Sequence, residues 1–184
     1  MTGFSKIAYT SSVRRQQHDH GSRNAIARTE TDDVFAGLTA QEQAFIGARD
    51  EFYLGTINAD GWPYIQYKSG PKGFVECSAG PSGAVDTLRY LEVAGNRQYV
   101  SFGNLEDNPK LSLFFIDYVR RMRLKIFGLG SLEQHPAGAN GRISTVIRIR
   151  VEASTWNCPK SIIPRFSVDE LVELGVRAPA APGR

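Results

Sequence analysis

Apolar and polar residues alternate along much of the chain, a pattern that predicts β-strands rather than long helices. The clearest alternation runs from Arg142 to Val151, where one face carries isoleucine, threonine and valine and the other carries mostly arginine and serine. A period of two residues is expected of a strand that is buried on one face. This segment is therefore predicted to be a half-buried strand.

Further strands are predicted along the middle of the chain. The segment FYLGTIN from Phe52 is followed by an Ala-Asp-Gly turn and by PYIQYK, which predicts a β-hairpin. The other strand candidates are Gly73 to Cys77, Val85 to Val93, Lys110 to Asp117 and Met122 to Glu133. Six or seven short strands favour a closed or partly open antiparallel barrel, a mainly β fold, over a parallel α/β sheet.

Two short helices are predicted from capping-box spacing. Thr39 and Glu42 stand at the start of one of them, and Ser167 and Glu170 stand at the start of the other. The first 36 residues are polar and poor in large apolar side chains, so we expect 1–36 to be an arm on the surface. One domain is predicted over 37–176, followed by a disordered tail at 177–184.

Composition and charge limit the classes of function. The chain has 184 residues, of which 41% are apolar, enough for one continuous core. Its 22 basic and 19 acidic residues leave a formal charge of +3, too small to indicate a nucleic-acid surface. No apolar run has the length of a membrane span. Cys77 and Cys158 have neither a redox nor a zinc spacing, so we expect free thiols, a cytoplasmic protein and no metal site.

The most unusual segment, GNRQYVSFGNLEDNP, runs from Gly95 to Pro109. Glycine and asparagine tolerate positive φ, so a turn here would leave backbone N–H groups free. Arg97, next to them, supplies a planar and permanently charged guanidinium, and the combination suits a phosphate. An arginine in a strand-to-helix turn is also commonly a solvated or capping residue.

A second basic cluster consists of Arg120, Arg121, Arg123 and Lys125. Within a strand, the last three of these side chains would point to the same face. That face is either a solvated outer surface or a binding surface for an anion or a polarised heterocycle beside a dimer interface. The residues alone leave both interpretations open.

Three blocks of sequence occur in a fixed order along the chain: FYLGTINADGWPYIQYKSGPKGF, AGNRQYVSFGNLEDNPKLSLFFIDYVRRMRLKIFGLG and WNCPKSIIPRF. Together they resemble the pyridoxamine 5′-phosphate oxidase-like family of flavin-binding proteins, in particular its branch of short members. The resemblance extends from about Gly21 to about Gly175. It implies a split antiparallel β-barrel of the FMN-binding type, which forms a homodimer with the flavin in clefts between the subunits.

The resemblance also implies which residues bind the cofactor. The second strand of the first hairpin would contact the flavin ring and the ribityl chain, and the strand end and turn that contain the GNRQ block would take the phosphate. A basic strand would face the ring in the same cleft, and a tryptophan and an arginine near the C-terminus would reach the flavin of the partner subunit. In that order the residues are Gln66, Tyr67, Lys68 and Ser69; Ala94, Asn96, Arg97 and Gln98; Arg123 and Lys125; and Trp156 and Arg165.

The function implied by the resemblance is an FMN-dependent oxidoreductase that acts on a small molecule, with catalytic residues unassigned. True pyridoxamine 5′-phosphate oxidases end in a longer segment with an arginine and histidine pair, so oxidation of pyridoxamine phosphate is not expected. Gln66 stands where the family usually has arginine, so Lys68, Lys72 and Arg97 would carry more of the phosphate charge. The alternative is a non-catalytic module that binds or stores flavin or haem, because the recognised blocks contain no obvious acid or base.

Overall fold

The computed structural model describes residues 3–30, 34–92, 97–135, 144–158 and 160–176. The helices are α1 Phe4–Ala8, α2 Ser11–Asp19, α3 Arg23–Ala27, α4 Ala40–Gly47, α5 Val100–Asp107 and α6 Val168–Glu173. The strands are β1 Glu51–Ile57, β2 Pro63–Ser69, β3 Glu76–Ala79, β4 Val85–Glu92, β5 Lys110–Asp117, β6 Met122–His135 and β7 Ser144–Asn157. The prediction of a mainly β fold with a few short helices is confirmed.

The strands form one antiparallel sheet in the order β2-β1-β5-β6-β7-β4-β3. The long hairpin of β6 and β7 joins the two halves of the sheet. The first part of β6 pairs with β5, and the first part of β7 pairs with β4. The register shifts between Phe127 and Gly128. A Cβ on Gly128 would lie 2.7 Å from the Arg150 carbonyl oxygen, so glycine permits the close approach of the two strands at this bulge.

The core lies on the concave side of the curled sheet. Alternate residues of each strand point into it, and its largest fully buried side chains include Phe52, Leu54, Leu88, Leu113, Phe115, Leu124, Ile126, Ile147 and Ile149. We call this the inner face and the opposite one the outer face. Because directly paired residues of neighbouring antiparallel strands share a face, the strand register assigns the partly exposed side chains to one face or the other.

The sheet closes through side chains of β1 and β2 that contact β4, a strand that is a neighbour of neither in the strand order. The rings of Phe52 and Tyr90 meet edge to face at 5.2 Å, and the Lys68 ammonium forms an ion pair with Glu92. We call this junction the seam. It brings residues that lie 24 positions apart in sequence into direct contact.

Some predicted element boundaries were wrong. The third strand begins at Glu76 rather than at Gly73, because Gly73 adopts a φ of 83° in the preceding turn. The seventh strand runs on past Val151 to Asn157. Both predicted capping boxes, at Thr39 and at Ser167, are present. Arg142, Ile143 and the predicted tail at 177–184 lie outside the described residues.

The N-terminal arm contains three helices for which the sequence analysis predicted no elements. The Phe4 ring of α1 stacks on the Phe127 ring at 5.2 Å, which holds the start of the arm against the outer face of the sheet. Glu30 accepts hydrogen bonds from Arg14 and Arg23 and so ties α2 to α3. None of the described helices has the length and apolar character needed to cross a membrane.

Candidate functional site

The turn before α5 has an unusual backbone. Arg97 and Tyr99 have φ values of 57° and 51°, although neither is glycine. Tyr99 is the N-cap of α5, and its side chain forms no capping hydrogen bond. Uncapped N–H groups at a helix start attract anions, and non-glycine residues with positive φ are found preferentially at functional sites. Arg97 is exposed in the same turn, and the phosphate site expected here from the sequence stays a prediction.

Hydrogen bonds to the barrel hold α5 in place. The Ser101 hydroxyl donates to Gln66 Oε1 at 2.9 Å, and Asn104 Nδ2 donates to Thr56 Oγ1 at 2.9 Å. Gln66 and Thr56 belong to the inner face, because Gln66 is paired with the buried Leu54 and Thr56 is itself buried. The α5 turn is therefore fixed against the inner side of β1 and β2.

Lys68 also lies on the inner face, paired with Phe52, and only 7% of it is exposed. Its Nζ lies 2.5 Å from Glu92 Oε1 across the seam. Sequence reasoning did not single out Glu92. The signal was present, since an acidic residue follows Leu88 and Tyr90 at alternate positions of an otherwise apolar strand face. The predicted cofactor-binding ammonium of Lys68 is thus already compensated by a carboxylate.

Aromatic residues and a lysine form a row on the outer face. Tyr67, Tyr53, Phe114 and Lys125 are paired in register across β2, β1, β5 and β6. Ring centroids lie 5.7 Å apart for Tyr53 and Tyr67 and 6.3 Å apart for Tyr53 and Phe114. The Tyr67 hydroxyl donates to Glu51 Oε2 at 2.7 Å, which raises the pKa of Tyr67 to about 12. A planar group could pack against this row beside the Lys125 charge.

The two arginines predicted at the flavin ring contact the chain itself. Arg123, on the same outer face as Lys125, donates Nη2 to the backbone carbonyls of Cys158 and Lys160. The Arg165 guanidinium lies over the Tyr118 ring, 5.1 Å from its centroid. These contacts tie the segment after β7 to the end of β5 and the start of β6.

The remaining candidates are dispersed. Trp156 is paired with the buried Leu124 and packs edge to face on Phe45 at 4.9 Å, so its ring belongs to the inner side near α4. Ser69 and Gln98 are exposed. Ala94 and Asn96 lie outside the described residues.

The candidates therefore fall into two groups within one chain. Gln66 and Lys68, with the α5 turn anchored beside them, belong to the inner side. Arg123 and Lys125 belong to the outer face, together with Tyr67. The expected single cleft that contains both groups is not formed within one chain, because the sheet lies between them. The assignment of these residues to a cofactor stays a prediction.

Comparison with known proteins identifies the family. The family model of pyridoxamine 5′-phosphate oxidase matches residues 38–154, more than half of the chain. The chain belongs to this family. Its seven-stranded sheet is accordingly a split β-barrel, as the resemblance implied. The match includes the seam, the α5 turn and β6, whereas Trp156 and Arg165 lie beyond it.

No curated protein matches the chain, whereas several solved structures do. HupZ from Group A Streptococcus is 19% identical, with a TM-score of 0.48 over 70% of this chain and 99% of HupZ. HutZ, the haem storage protein of Vibrio cholerae, is 15% identical, with a TM-score of 0.44 over 65% of this chain and 94% of HutZ. A Clostridium acetobutylicum protein related to general stress protein 26 is 14% identical, with a TM-score of 0.45 over 64% of this chain and 85% of that one. The family assignment rests on the family model and not on these structures.

Proposed function

We propose that the chain binds FMN and acts, as a homodimer, as an FMN-dependent oxidoreductase on a small molecule that is still to be identified. The observation that carries this proposal is the α5 turn. An uncapped helix start, two residues with positive φ and the exposed Arg97 guanidinium stand together there. Charge-assisted hydrogen bonds from such a turn suit a phosphate monoester.

The residues around the turn fit a phosphate that is held mainly by Arg97. Gln66 supplies no charge, and its side-chain oxygen is already used by Ser101. Lys68 is neutralised by Glu92, and Lys72 interacts electrostatically with the Glu170 carboxylate. The phosphate therefore depends on one guanidinium and on backbone N–H groups, which is fewer cations than the family pattern implied.

Homodimer formation would reconcile the two groups of candidate residues. Because one sheet separates them, the outer face of one copy must approach the α5 turn of another before both contact the same flavin. The exposed side chains of Ile65 and Tyr67 on β2 provide an apolar and aromatic surface for such an approach. When bound, the flavin supplies the redox chemistry. The aromatic row would orient the ring, and the charges of Arg123 and Lys125 would favour electron density on it.

A spectroscopic experiment tests the proposal. The protein as purified is expected to show flavin absorbance bands, added FMN is expected to raise its melting temperature, and NADH or NADPH is expected to bleach the bound flavin. Sedimentation of the purified protein should give the mass of a dimer. A colourless protein whose melting temperature FMN leaves unchanged would contradict the proposal.

The alternative is a non-catalytic module that binds or stores flavin or haem. One observation favours it: the hydroxyl of Tyr67, on the predicted ring-binding strand, already donates its proton to Glu51 Oε2 at 2.7 Å and so is not directed at a substrate. Bound flavin that neither nicotinamide reduces would support this alternative, and a haem spectrum would decide between the two ligands. Cys77 and Cys158 are free thiols, which is compatible with the reducing cytoplasm as location for either function.

A further inference from the structure

The seam contains a small buried polar cluster that the proposed function does not use. Lys68 and Tyr90 are 7% and 3% exposed, and Glu92 interacts electrostatically with both, with one oxygen on Lys68 Nζ. The second oxygen, Oε2, is buried and has no hydrogen-bond partner within the described part of the chain, and the same holds for the Tyr90 hydroxyl. Buried polar atoms without partners are rare because they lose their hydration without compensation, so this cluster calls for an explanation.

The cluster lies beside the α5 turn. Lys68 follows Gln66 on the same face of β2, about 7 Å further along the strand, and Gln66 holds the first turn of α5 through Ser101. Glu92 ends β4, and Arg97 is only five residues further along the chain. Along the chain, Glu92 and Arg97 therefore flank the segment that leads into the turn, and Lys68 is ion-paired with Glu92.

The pair contributes no net charge to its surroundings, because the carboxylate cancels the ammonium. Either charge alone would act strongly at this place, since burial weakens the screening of charges by water. An unpaired Lys68 would attract a phosphate dianion at the turn. An unpaired Glu92 would repel it, and no hydrogen-bond donor among the described residues offsets the charge at Glu92 Oε2.

We propose that Glu92 is a specificity-determining residue of the cofactor site: by compensating Lys68 across the seam, it sets how strongly the α5 turn prefers a phosphorylated flavin to riboflavin. This inference rests on the proposed function. The charge balance of the seam pair, and not only Arg97, then fixes the affinity for the phosphate group.

Isosteric amide substitutions test the proposal with little change in shape. In the wild type the charges of Lys68 and Glu92 cancel. Glu92→Gln leaves the pair with a positive charge and Lys68→Gln leaves it with a negative charge. The double variant makes it neutral again. Binding of FMN and of riboflavin is measured by flavin fluorescence. We expect Glu92→Gln to strengthen FMN binding roughly tenfold and Lys68→Gln to weaken it by a similar factor. The double variant should return to within about threefold of the wild type, with riboflavin affinity within about threefold throughout.

A matched control uses another ion pair that involves β4. Arg89 Nη2 contacts Glu133 Oε2 at 2.7 Å on a more exposed surface, so Glu133→Gln removes the same charge away from the seam. This variant should leave the ratio of FMN to riboflavin affinity unchanged. If it changes the ratio as much as Glu92→Gln does, the effect is one of overall charge and the proposal fails.

A merely structural role of the pair gives a different pattern. In that case both single variants weaken FMN and riboflavin equally and the double variant does not recover, which would overturn the proposal. If Lys68→Gln does not fold, the wild type, Glu92→Gln and the double variant still give the expected order of FMN affinities.

Inorganic phosphate provides a second probe of the α5 turn. The rise in melting temperature that added phosphate causes should be largest in Glu92→Gln. If FMN does not bind, the proposed function fails and the preference for FMN over riboflavin fails with it, whereas a phosphate effect in this order would still show that the charge of Glu92 acts on the α5 turn.

Discussion

Two regions of the molecule carry arginines that the family pattern assigns to the flavin, and they differ in what those arginines already contact. Arg97 in the α5 turn is exposed and makes no hydrogen bond or ion pair within the described ranges. Arg123 and Arg165, at the other region, are held by backbone carbonyls and by the Tyr118 ring. Equal formal charge therefore does not mean equal availability: the first region is open to an external anion, and the second uses its charges to fasten the chain.

The largest effect on stability is expected for a substitution of Asp117, the last residue of β5, which lies next to Tyr118 of the second region. Asp117 is 4% exposed, forms an ion pair with Arg49 Nη2 at 2.9 Å and accepts a hydrogen bond from the Arg120 backbone N–H at 2.8 Å. Asp117→Ala would leave the Arg49 guanidinium, whose side chain is only 14% exposed, without its carboxylate, so the free energy of unfolding should fall by about 3 to 5 kcal/mol. Chemical denaturation measures this loss.

Glu106→Ala is the control for that substitution, because Glu106 is an exposed carboxylate on α5. It should change the free energy of unfolding by no more than about 0.5 kcal/mol. A loss below about 1 kcal/mol for Asp117→Ala would mean that Arg49 is solvated rather than held by the carboxylate.

The next effect concerns the first region. Arg97→Ala removes the exposed guanidinium of the α5 turn, so FMN affinity should fall roughly tenfold to a hundredfold, the range for a hydrogen bond to a charged group. Arg121→Ala is a matched control, because Arg121 is also exposed and has a φ of 54°. Both variants place alanine in a left-handed conformation and incur the same backbone strain. Flavin fluorescence titration should show a change of less than about twofold for Arg121→Ala, and equal losses would remove the distinction between the regions.

Local sequence patterns predicted the elements of both regions well. The strand Lys110–Asp117 was predicted with its observed bounds, and both capping boxes formed. These features depend on residues within one element, so alternation and spacing are sufficient to find them.

The contacts that distinguish the two regions could not be predicted in this way. The pairing of Lys68 with Glu92 depends on how the sheet curls, because β2 and β4 are not neighbours in the strand order. The contact of Arg123 with the Cys158 carbonyl joins residues 35 positions apart. Helices α1 to α3 were missed for another reason: their polar residues show no apolar stripe, and ion pairs to Glu30 hold two of them together.

A smaller effect is expected at Arg123. Arg123→Ala removes the donor to the carbonyls of Cys158 and Lys160, so the segment after β7 should detach more often. Limited digestion with trypsin, which cleaves after Lys160 and Arg165, should become roughly fivefold faster. Arg121→Ala again serves as control, since its loss leaves this segment in place. An unchanged digestion rate for Arg123→Ala would show that other contacts fasten the segment.

The smallest effect concerns Tyr67, whose hydroxyl donates to Glu51 and whose pKa is raised to about 12. Folding favours the neutral phenol, so the stabilisation is complete below pH 10, the ordinary value, and is lost as the pH rises through 12. The melting temperature of Tyr67→Phe should therefore be slightly below that of the wild type at pH 9 and should approach it towards pH 12. The difference in ultraviolet titration between the two proteins isolates this phenol, and Glu51→Gln should shift its titration towards pH 10. If Tyr67 titrates near pH 10 in the wild type, Glu51 does not accept a hydrogen bond from its hydroxyl. The aromatic row on the outer face would then not be fixed by a hydrogen bond at its β2 end.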